Sequence, residues 1–345
     1  MTLQEVARKA NVSLATASLA LNNHPRVAVQ TRERVAQVAE GLGFMNPGTY
    51  AARRLARTRR QSRSTSFDQV GFIYLSGSGD VDQYCLNIMR GAEHELSPLG
   101  ACLIFVRVGE RGHWEKVQRL TQTGIVDGWM IIGAVDDAVM QRLNALRLPW
   151  VILGDHHCTR GRVHCVSIDH VHLGRAGAQR LADLEHRRVG YIGASMLYQY
   201  QTDTLRGFRE ALHDLKLDTD ERLTTFHNFW CDLNQQELKN WFDYLGERPS
   251  AIFCAEPGKA ELLIRELTQA GVRVPEDCSV LGCEAPMGIP VPPTHARLDL
   301  PVDDVGAEGA KLLHKLVTDG PRVVSSTVRL AATLHDGRSA IPRTC

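Results

Sequence analysis

The stretch VSLATASLALNN, residues 12–23, decides how the N-terminal part of the chain folds. Ser13 can cap a helix over Leu14–Leu21, because its hydroxyl can accept a hydrogen bond from a backbone N–H of the first helical turn. Ala17 and Leu21 are four residues apart and therefore lie on one face. The other side carries Leu14, Ala15, Ser18 and Leu19. The sequence thus predicts a short helix with one buried face and a second, partly apolar face that contacts a partner.

Helices are predicted on both sides of this stretch. Thr2 and Glu5 have the spacing of a capping box at the start of the first helix, and Asn11 interrupts its apolar pattern. A third helix over residues 31–42 has three apolar residues on its inner side: Val35, Val38 and Leu42. Two short helices joined by a tight turn, with a third that completes the core, form a helix-turn-helix unit. The second helix of such a unit enters the major groove of DNA.

The charge distribution favours DNA as the partner of this unit. The 345-residue chain has 40 Lys and Arg against 39 Asp and Glu, a net charge of +1. Residues 1–63 hold 11 of the basic and 3 of the acidic residues, which leaves 29 and 36 in the rest. A basic head on an acidic body is typical of a protein that binds a polyanion. Leu14 and Leu19 would then contact thymine methyl groups and base edges. A three-helix bundle that docks on another protein is the alternative.

The segment from Thr2 to Phe44 resembles the headpiece of the LacI family of transcription regulators. The matching motifs are Val6-Ala7, Val12-Ser13, Thr16-Ala17-Ser18, Leu21-Asn22, Val27, Thr31-Arg32 and Gly43-Phe44. The resemblance assigns these residues of the head to DNA contacts: Ser13, Leu14, Ala15, Thr16, Ser18, Leu19 and Asn22. Among them, Leu14, Ala15 and Leu19 occupy the base-reading positions. Family members often have polar or basic residues there, so direct readout is expected to be more apolar in this chain.

Residues 46–67 carry six arginines and no acidic residue, a composition suited to phosphate contacts and to salt-dependent binding of DNA. In the family, the matching segment folds into a hinge helix when it pairs with that of a second subunit on DNA. The resemblance implies that Leu55 wedges into a minor-groove step, that Ala52 packs beside it and that Arg53 contacts DNA. The segment that precedes Leu55 is longer than usual through NPGT, which alters the expected register of the hinge.

Apolar runs alternate with amphipathic segments in residues 69–345. QVGFIYL, ACLIFVRV, GWMIIGA and PWVILGD are predicted strands, and the pattern restarts with RVGYIGA, AIFCAE and SVLGCE. Such alternation predicts doubly wound parallel sheets. The resemblance extends over these residues, including LRGFREAL. It implies an α/β periplasmic-binding-protein-like core of two doubly wound parallel-sheet lobes behind an all-α helix-turn-helix headpiece. One departure is Glu185, where the family usually has glycine.

The resemblance divides the chain into expected units. The helix-turn-helix headpiece spans residues 1–45, and the hinge helix and linker span residues 46–68. The N-terminal lobe of the core comprises residues 69–166 and about 295–322, and the C-terminal lobe comprises residues 167–294 and about 323–345. Ligands of such cores bind at the carboxyl ends of the strands, between the lobes.

The resemblance also places the effector contacts, at Ser76, Asp155, Thr204, Arg206, Trp230, Glu256 and Glu284. Thr204 stands where an arginine is common. Glu256-Pro257 replaces an Asn-Asp pair, and Glu284-Ala285 replaces an Asp-Asp pair. A cleft with Asp155, Glu256 and Glu284 but without its usual arginine is acidic. It predicts a neutral, sugar-like or cationic effector rather than a phosphorylated one.

A His- and Cys-rich segment, residues 155–172, raises the alternative of a metal-responsive regulator. It contains His156, His157, Cys158, His164, Cys165, His170 and His172. Imidazole and thiolate suit zinc or copper, but the segment has no standard zinc spacing, so no metal ligand is assigned. The other alternative is a small-molecule enzyme fused to a DNA-binding head. The chain has no G-x-S-x-G or H-E-x-x-H motif, and neither catalytic residues nor a cofactor are assigned.

The nine cysteines are an odd number and form no Cys-x-x-Cys pair, and no secretory signal or bilayer-spanning apolar run occurs. These features place the protein in the cytoplasm. The sequence therefore predicts a homodimeric, sequence-specific transcription regulator, a repressor and not an enzyme. Its expected partners are a near-palindromic double-stranded DNA operator and a small-molecule effector, without a membrane. Effector binding is expected to shift the lobes and, through the hinge, the affinity for DNA.

Overall fold

A computed structural model describes residues 3–21, 24, 26–42, 67–75, 81–109, 113–154, 163–194, 199–227, 233–285, 295–319 and 326–343 of the chain. Within these residues, the chain forms a helical head and two α/β lobes. No helix among them is both long and apolar enough to cross a membrane.

The head consists of α1 (Leu3–Lys9), α2 (Leu14–Leu21) and α3 (Val29–Gly41). Its core is a separate apolar cluster to which α1 contributes Val6, α2 Ala17 and α3 Val35, all fully buried. Asn11 adopts a left-handed backbone conformation, with φ at 52°, and turns the chain between α1 and α2. Asparagine tolerates this conformation better than most residues do, so Asn11 favours the tight turn between the two helices.

The N-terminal lobe contains a parallel sheet that is buried on both faces. Its first strands and helices are β1 (Gln69–Leu75), α4 (Gln83–Leu96), β2 (Cys102–Val108), α5 (Trp114–Gln122), β3 (Gly128–Gly133), α6 (Asp137–Ala145), β4 (Trp150–Leu153) and β5 (Cys165–Ile168). Successive side chains of β1 enter two different apolar clusters, for example Phe72 on one face and Ile73 on the other. Near-continuous apolar runs are what strands covered on both faces require.

The C-terminal lobe repeats this architecture. It comprises α7 (His170–Asp183), β6 (Val189–Gly193), α8 (Gln199–Asp214), β7 (Thr224–Phe226), α9 (Gln235–Leu245), β8 (Ala251–Cys254), α10 (Ala260–Gln269), β9 (Ser279–Glu284) and β10 (Ala296–Asp299). Beyond β10, the chain continues with α11 (Val302–Asp319), β11 (Thr327–Leu330) and β12 (Thr333–His335). In the described residues, the two sheets have the orders β11-β5-β4-β3-β1-β2 and β12-β10-β9-β8-β6-β7.

The sheets differ from the predicted lobe boundaries at two places. Residues 295–300 were expected in the N-terminal lobe, but β10 pairs with β9 in the second sheet. Residues 327–330 were expected in the C-terminal lobe, but β11 pairs in parallel with β5 in the first sheet. Helix α11, which separates them, packs on β3 and β4 of the first sheet. The chain therefore changes lobe between β10 and α11 and again between β11 and β12, and hydrophobic patterning could not show which sheet each short strand joins.

Each lobe contains a pair of helices that cross at glycines. In the C-terminal lobe, a Cβ added at Gly174 of α7 or at Gly207 of α8 would lie 1.9 or 2.0 Å from a backbone carbonyl oxygen of the other helix. The pair α4 and α11 has the same arrangement at Gly91 and Gly306, with distances of 1.8 and 1.9 Å. Real Cβ atoms cannot approach a carbonyl oxygen this closely, so these crossings require glycine.

Glu185 lies two residues after the end of α7 and adopts a left-handed backbone conformation, with φ at 63°. Its N–H donates to the carbonyl of Ala182, and the N–H of His186 donates to the carbonyl of Leu181, the bonds of a Schellman motif. The turn is thus retained although the usual glycine is absent. Replacing Glu185 with glycine should raise the free energy of unfolding by about 1 kcal/mol, because glycine adopts positive φ without strain. Urea denaturation measures the gain.

Glu185→Ala is the matched control for this prediction. It removes the same carboxylate but retains a Cβ at positive φ, so it should give no comparable gain. Equal stabilisation by alanine and glycine would instead assign the effect to the charge of Glu185.

Candidate functional site

The exposed face of α2 has the composition that the sequence predicted. Leu14 is 46 % exposed and Leu19 is 37 % exposed, and Ala15 is exposed beside them. Ala17 and Leu21 are buried in the core of the head. Large apolar side chains held in solvent by a helix whose other face is fully packed form a surface suited to a partner.

Ser13 fixes the start of this helix. Its Oγ accepts a hydrogen bond from the N–H of Thr16 at 3.0 Å, and the two hydroxyl oxygens are 2.7 Å apart. Ser13 is therefore the predicted N-cap, which holds the first turn of α2 in place. Ser18 is half-buried on the next turn. The other residues predicted to contact DNA lie outside the described residues: Asn22, Ala52, Arg53 and Leu55.

Two acidic residues lie at the carboxyl edge of the second sheet. Glu256 follows β8, and Glu284 is the last residue of β9. These strands are parallel and adjacent, and Glu256 comes two residues after the end of β8. Both side chains are half-buried. Two of the residues predicted to bind an effector therefore lie at the carboxyl ends of adjacent strands, the edge where such folds bind ligands.

Neutral donors hold one oxygen of Glu256. The amide of Gln201, a fully buried residue of α8, donates to Oε2 at 2.6 Å, and the hydroxyl of Tyr200 donates to the same oxygen at 3.3 Å. Burial raises the pKa of Glu256, and the Tyr200 hydroxyl and Lys259 partly counteract this increase. The hydrogen bonds therefore hold the carboxylate in a fixed position, although burial disfavours its charged form.

A buried histidine holds Glu284. Nε2 of His295 is 2.9 Å from Oε1 of Glu284, and the His295 side chain is only 3 % exposed. Nδ1 of the same ring is 3.8 Å from Oε1 of Glu261, whose side chain is 74 % exposed. His295 therefore lies between a half-buried and an exposed carboxylate and orients the half-buried one.

Thr204 and Arg206, which were predicted to contact the effector, make their hydrogen bonds outside this network. The Thr204 hydroxyl donates to the carbonyl of Tyr200 at 2.8 Å, within its own helix, and the residue is buried at the crossing of α7 and α8. The Arg206 side chain is 55 % exposed and donates to Asp203 at 2.8 Å. No guanidinium of a described residue is hydrogen-bonded to Glu256 or Glu284. Ser76, Asp155 and Trp230 lie outside the described residues.

Sequence reasoning missed Gln201, Tyr200 and His295. Gln201 shares a helical face with the buried residues Leu205 and Phe208, so a polar residue at an apolar position was a signal that could have identified it. His295 precedes the short strand β10, and nothing in the local pattern distinguishes it from a surface histidine.

The described part of the His- and Cys-rich segment does not converge on one point. The Cys165 thiol is buried and contacts the carbonyl of Gly154 at 3.4 Å. His170 is buried against the ring of Tyr200, and this burial lowers its pKa to about 4. No group of three or more His, Cys, Asp or Glu residues that could hold a metal ion occurs in the described part of the chain. His156, His157 and Cys158 lie outside it.

Comparison with known families gives two matches. The model of bacterial regulatory proteins of the lacI family matches residues 2–46, and the model of a periplasmic binding protein-like domain matches residues 178–340. The HTH-type transcriptional regulator CelR of Thermobifida fusca is 26 % identical over 339 residues, which cover 97 % of this chain and 96 % of the relative. The HTH-type transcriptional repressor CytR of Escherichia coli K12 is 24 % identical over 288 residues, 81 % of this chain and 79 % of the relative.

Solved structures share the fold over nearly the whole chain. A complex of the transcriptional regulator CelR with cellobiose has a TM-score of 0.65 and 24 % identity, and the match covers 98 % of this chain and 99 % of that one. The lac repressor dimer bound to its operator and an anti-inducer has a TM-score of 0.64 and 20 % identity, with 99 % of both chains covered.

Proposed function

The chain belongs to the LacI family of bacterial regulatory proteins, and we propose that this transcription regulator is a repressor whose affinity for its operator is controlled by a small molecule. Two copies of the chain would bind one near-palindromic stretch of double-stranded DNA in the cytoplasm, and the effector would bind between the lobes. The observation that carries the DNA-binding role is the exposure of Leu14 and Leu19 on a helix whose opposite face is fully packed.

Several features support this proposal for the DNA-binding part. The solved lac repressor is a dimer on its operator, and a two-fold dimer contacts two related half-sites. Leu14, Ala15 and Leu19 would face the base edges, where apolar side chains contact the methyl group of thymine. The arginines of residues 46–67 would contact phosphates and make binding strongly salt-dependent.

The edge that carries Glu256 and Glu284 supports the effector part of the proposal. Carboxylates accept hydrogen bonds from hydroxyl and amino groups and repel phosphates. The relative CelR has been solved with cellobiose, a neutral sugar, in a chain of the same fold. A neutral or cationic effector is therefore proposed for this chain.

Selection of bound sequences from a random DNA pool tests the proposed function. The purified untagged protein should enrich a near-palindromic site at near-physiological salt, because each headpiece of the dimer would read one half-site. Leu19→Ala is a suitable comparison, since it should relax the sequence preference without removing the phosphate contacts. Enrichment of no sequence, with binding that depends only on salt, would overturn the assignment as a sequence-specific regulator.

Asp155→Asn should preserve operator binding without effector but reduce the response to effector at least tenfold, because a carboxylate that binds the ligand has lost its charge. Fluorescence anisotropy of labelled operator DNA, with and without effector, measures both quantities. Arg206→Gln is the matched control, because the exposed Arg206 side chain contacts Asp203 instead of the acidic edge. An unchanged effector response in the Asp155 variant would remove this residue from the proposed site.

A further inference from the structure

We propose that helix α2 recognises its operator through the C5-methyl groups of pyrimidine bases, so that 5-methylcytosine can take the place of thymine in each half-site. This inference rests on the proposed function, because it concerns how the same helix reads DNA. It goes beyond that function by naming the chemical group that is read. It also makes the affinity for the operator depend on cytosine methylation.

The composition of α2 excludes most polar contacts with base edges. Hydrogen-bonded readout in the major groove uses Arg or Lys for guanine, Asn or Gln for adenine, and Asp or Glu for cytosine. None of these residue types occurs in Leu14–Leu21, whose sequence is LATASLAL. The polar side chains of the helix are those of Thr16 and Ser18. A hydroxyl group can pair with more than one base, so these two residues discriminate poorly.

Thr16 also has a structural role at the start of the helix. Its N–H donates to Oγ of Ser13 at 3.0 Å, and its own hydroxyl oxygen is 2.7 Å from the same atom. These contacts close the first turn of α2. Thr16 and Ser18 are both half-buried, whereas Leu14 and Leu19 are exposed. The surface that α2 presents to a groove is therefore mainly apolar.

The helical repeat places both leucines on this surface. Leu14 is four residues before Ser18, and Ala15 is four residues before Leu19, so the four residues form two adjacent rows on one side of the helix. The opposite side of α2 lies in the core of the head. Leu14 and Leu19 can therefore enter a groove together while the packing of the head stays unchanged.

The charges of the head lie outside α2. Arg8 and Lys9 end α1 and are exposed, and Arg26 and Arg34 are exposed beyond the end of α2. Cations contact phosphates whatever the base sequence. DNA suits this arrangement, because the polyanion attracts the cations while the C5-methyl group of thymine is the apolar group in the major groove. Leucine side chains gain free energy by burying that methyl group.

The same reasoning makes 5-methylcytosine equivalent to thymine. Both bases carry a methyl group at C5, and they differ at C4, where thymine has a carbonyl acceptor and cytosine an amino donor. A leucine side chain forms no hydrogen bond, so it does not distinguish the acceptor from the donor. Uracil keeps every hydrogen-bonding group of thymine and lacks only the methyl group. The three bases therefore separate methyl recognition from polar recognition.

Fluorescence anisotropy with modified operators tests the proposal. In the operator selected from the random pool, each thymine of a half-site and its symmetry-related partner are replaced by deoxyuridine, by cytosine or by 5-methylcytosine, the last two paired with guanine. At the thymines that α2 contacts, deoxyuridine and cytosine should weaken binding equally, by about fourfold for each methyl group lost and about fifteenfold for the pair. 5-Methylcytosine should keep the affinity within about twofold of that of the selected operator.

Leu14→Ala and Leu19→Ala identify the side chains that contact the methyl groups. Both leucines are exposed, so their variants should melt like the unmodified protein. In at least one variant, the deoxyuridine penalty for a sensitive pair should fall from about fifteenfold to below about fourfold. Val29→Ala is the matched control, because Val29 is a 57 % exposed apolar residue at the start of α3, and this variant should retain the full penalty. An undiminished penalty in both leucine variants overturns the assignment to α2.

Two further results overturn the proposal: a deoxyuridine penalty below about twofold at every thymine of the operator, and a loss of affinity with cytosine that 5-methylcytosine does not reverse. In both cases an operator has been selected, so the sequence-specific regulator stands and methyl recognition is wrong. If no operator is selected at all, the proposed function itself fails, and a protein replaces DNA as the partner of the exposed face of α2.

Discussion

Replacing Gly207 with alanine should destabilise the folded core by about 3 kcal/mol, one of the largest effects expected of a single substitution in this chain. A Cβ at this position would lie 2.0 Å from the backbone carbonyl oxygen of Val171. A backbone group cannot rotate aside as a flexible side chain can, so α7 and α8 must separate and lose part of their packing. Urea denaturation followed by circular dichroism measures the loss.

Gly41→Ala is the matched control, because Gly41 is also helical but a Cβ there would meet no atom within 4 Å. This variant should leave the unfolding transition of the core unchanged. A loss below about 1 kcal/mol in Gly207→Ala would mean that the two helices can separate at little cost, contrary to the close crossing described above.

Leu55→Ala should weaken binding to the selected operator by about 2–3 kcal/mol and leave binding to random DNA almost unchanged. The reason is that an apolar wedge acts only where the duplex is kinked and the two hinge segments pair. On random DNA the protein relies on phosphate contacts, to which a leucine contributes nothing. Fluorescence anisotropy with both DNAs at several salt concentrations measures the two affinities.

Arg53→Gln provides the contrast within the same segment. Losing a phosphate contact should weaken binding to both DNAs to a similar degree and reduce the slope of log affinity against log salt by about 1. If Leu55→Ala also weakened both DNAs equally, the wedge would have to be assigned to another residue of the longer hinge.

Local structure was largely readable from the sequence. Helix α2 begins at Leu14 and ends at Leu21, as the N-cap and the apolar spacing predicted, and Ala17 and Leu21 are buried. Capping and helical periodicity involve only residues that are close in the sequence, so the ends and the buried face of a helix can be predicted without knowledge of the whole fold. The assignment of β10 and β11 to sheets differs from the prediction, because the sheet that a short strand joins depends on contacts with residues far away in the chain.

The candidate site could be predicted only in part from the sequence, because its hydrogen bonds join residues that are far apart in the chain. Glu256 and Glu284 could be singled out, because the resemblance to the family places effector contacts at these positions. Their partners could not, because Gln201 donates to Glu256 across 55 positions of the chain. Arg206 was also singled out by its position along the chain, and its side chain donates a hydrogen bond to Asp203.

The path of the chain through α11 has a consequence for synthesis on the ribosome. One of the two edge strands of the first sheet, β11, comes from residues 327–330, after every strand of the second sheet except β12. The lobe that is translated first thus waits with an unpaired edge at β5 until nearly the whole chain has emerged. Exposed strand edges invite pairing with other chains. A nascent chain arrested before residue 327 should therefore be prone to aggregation, although most of both lobes has already been made.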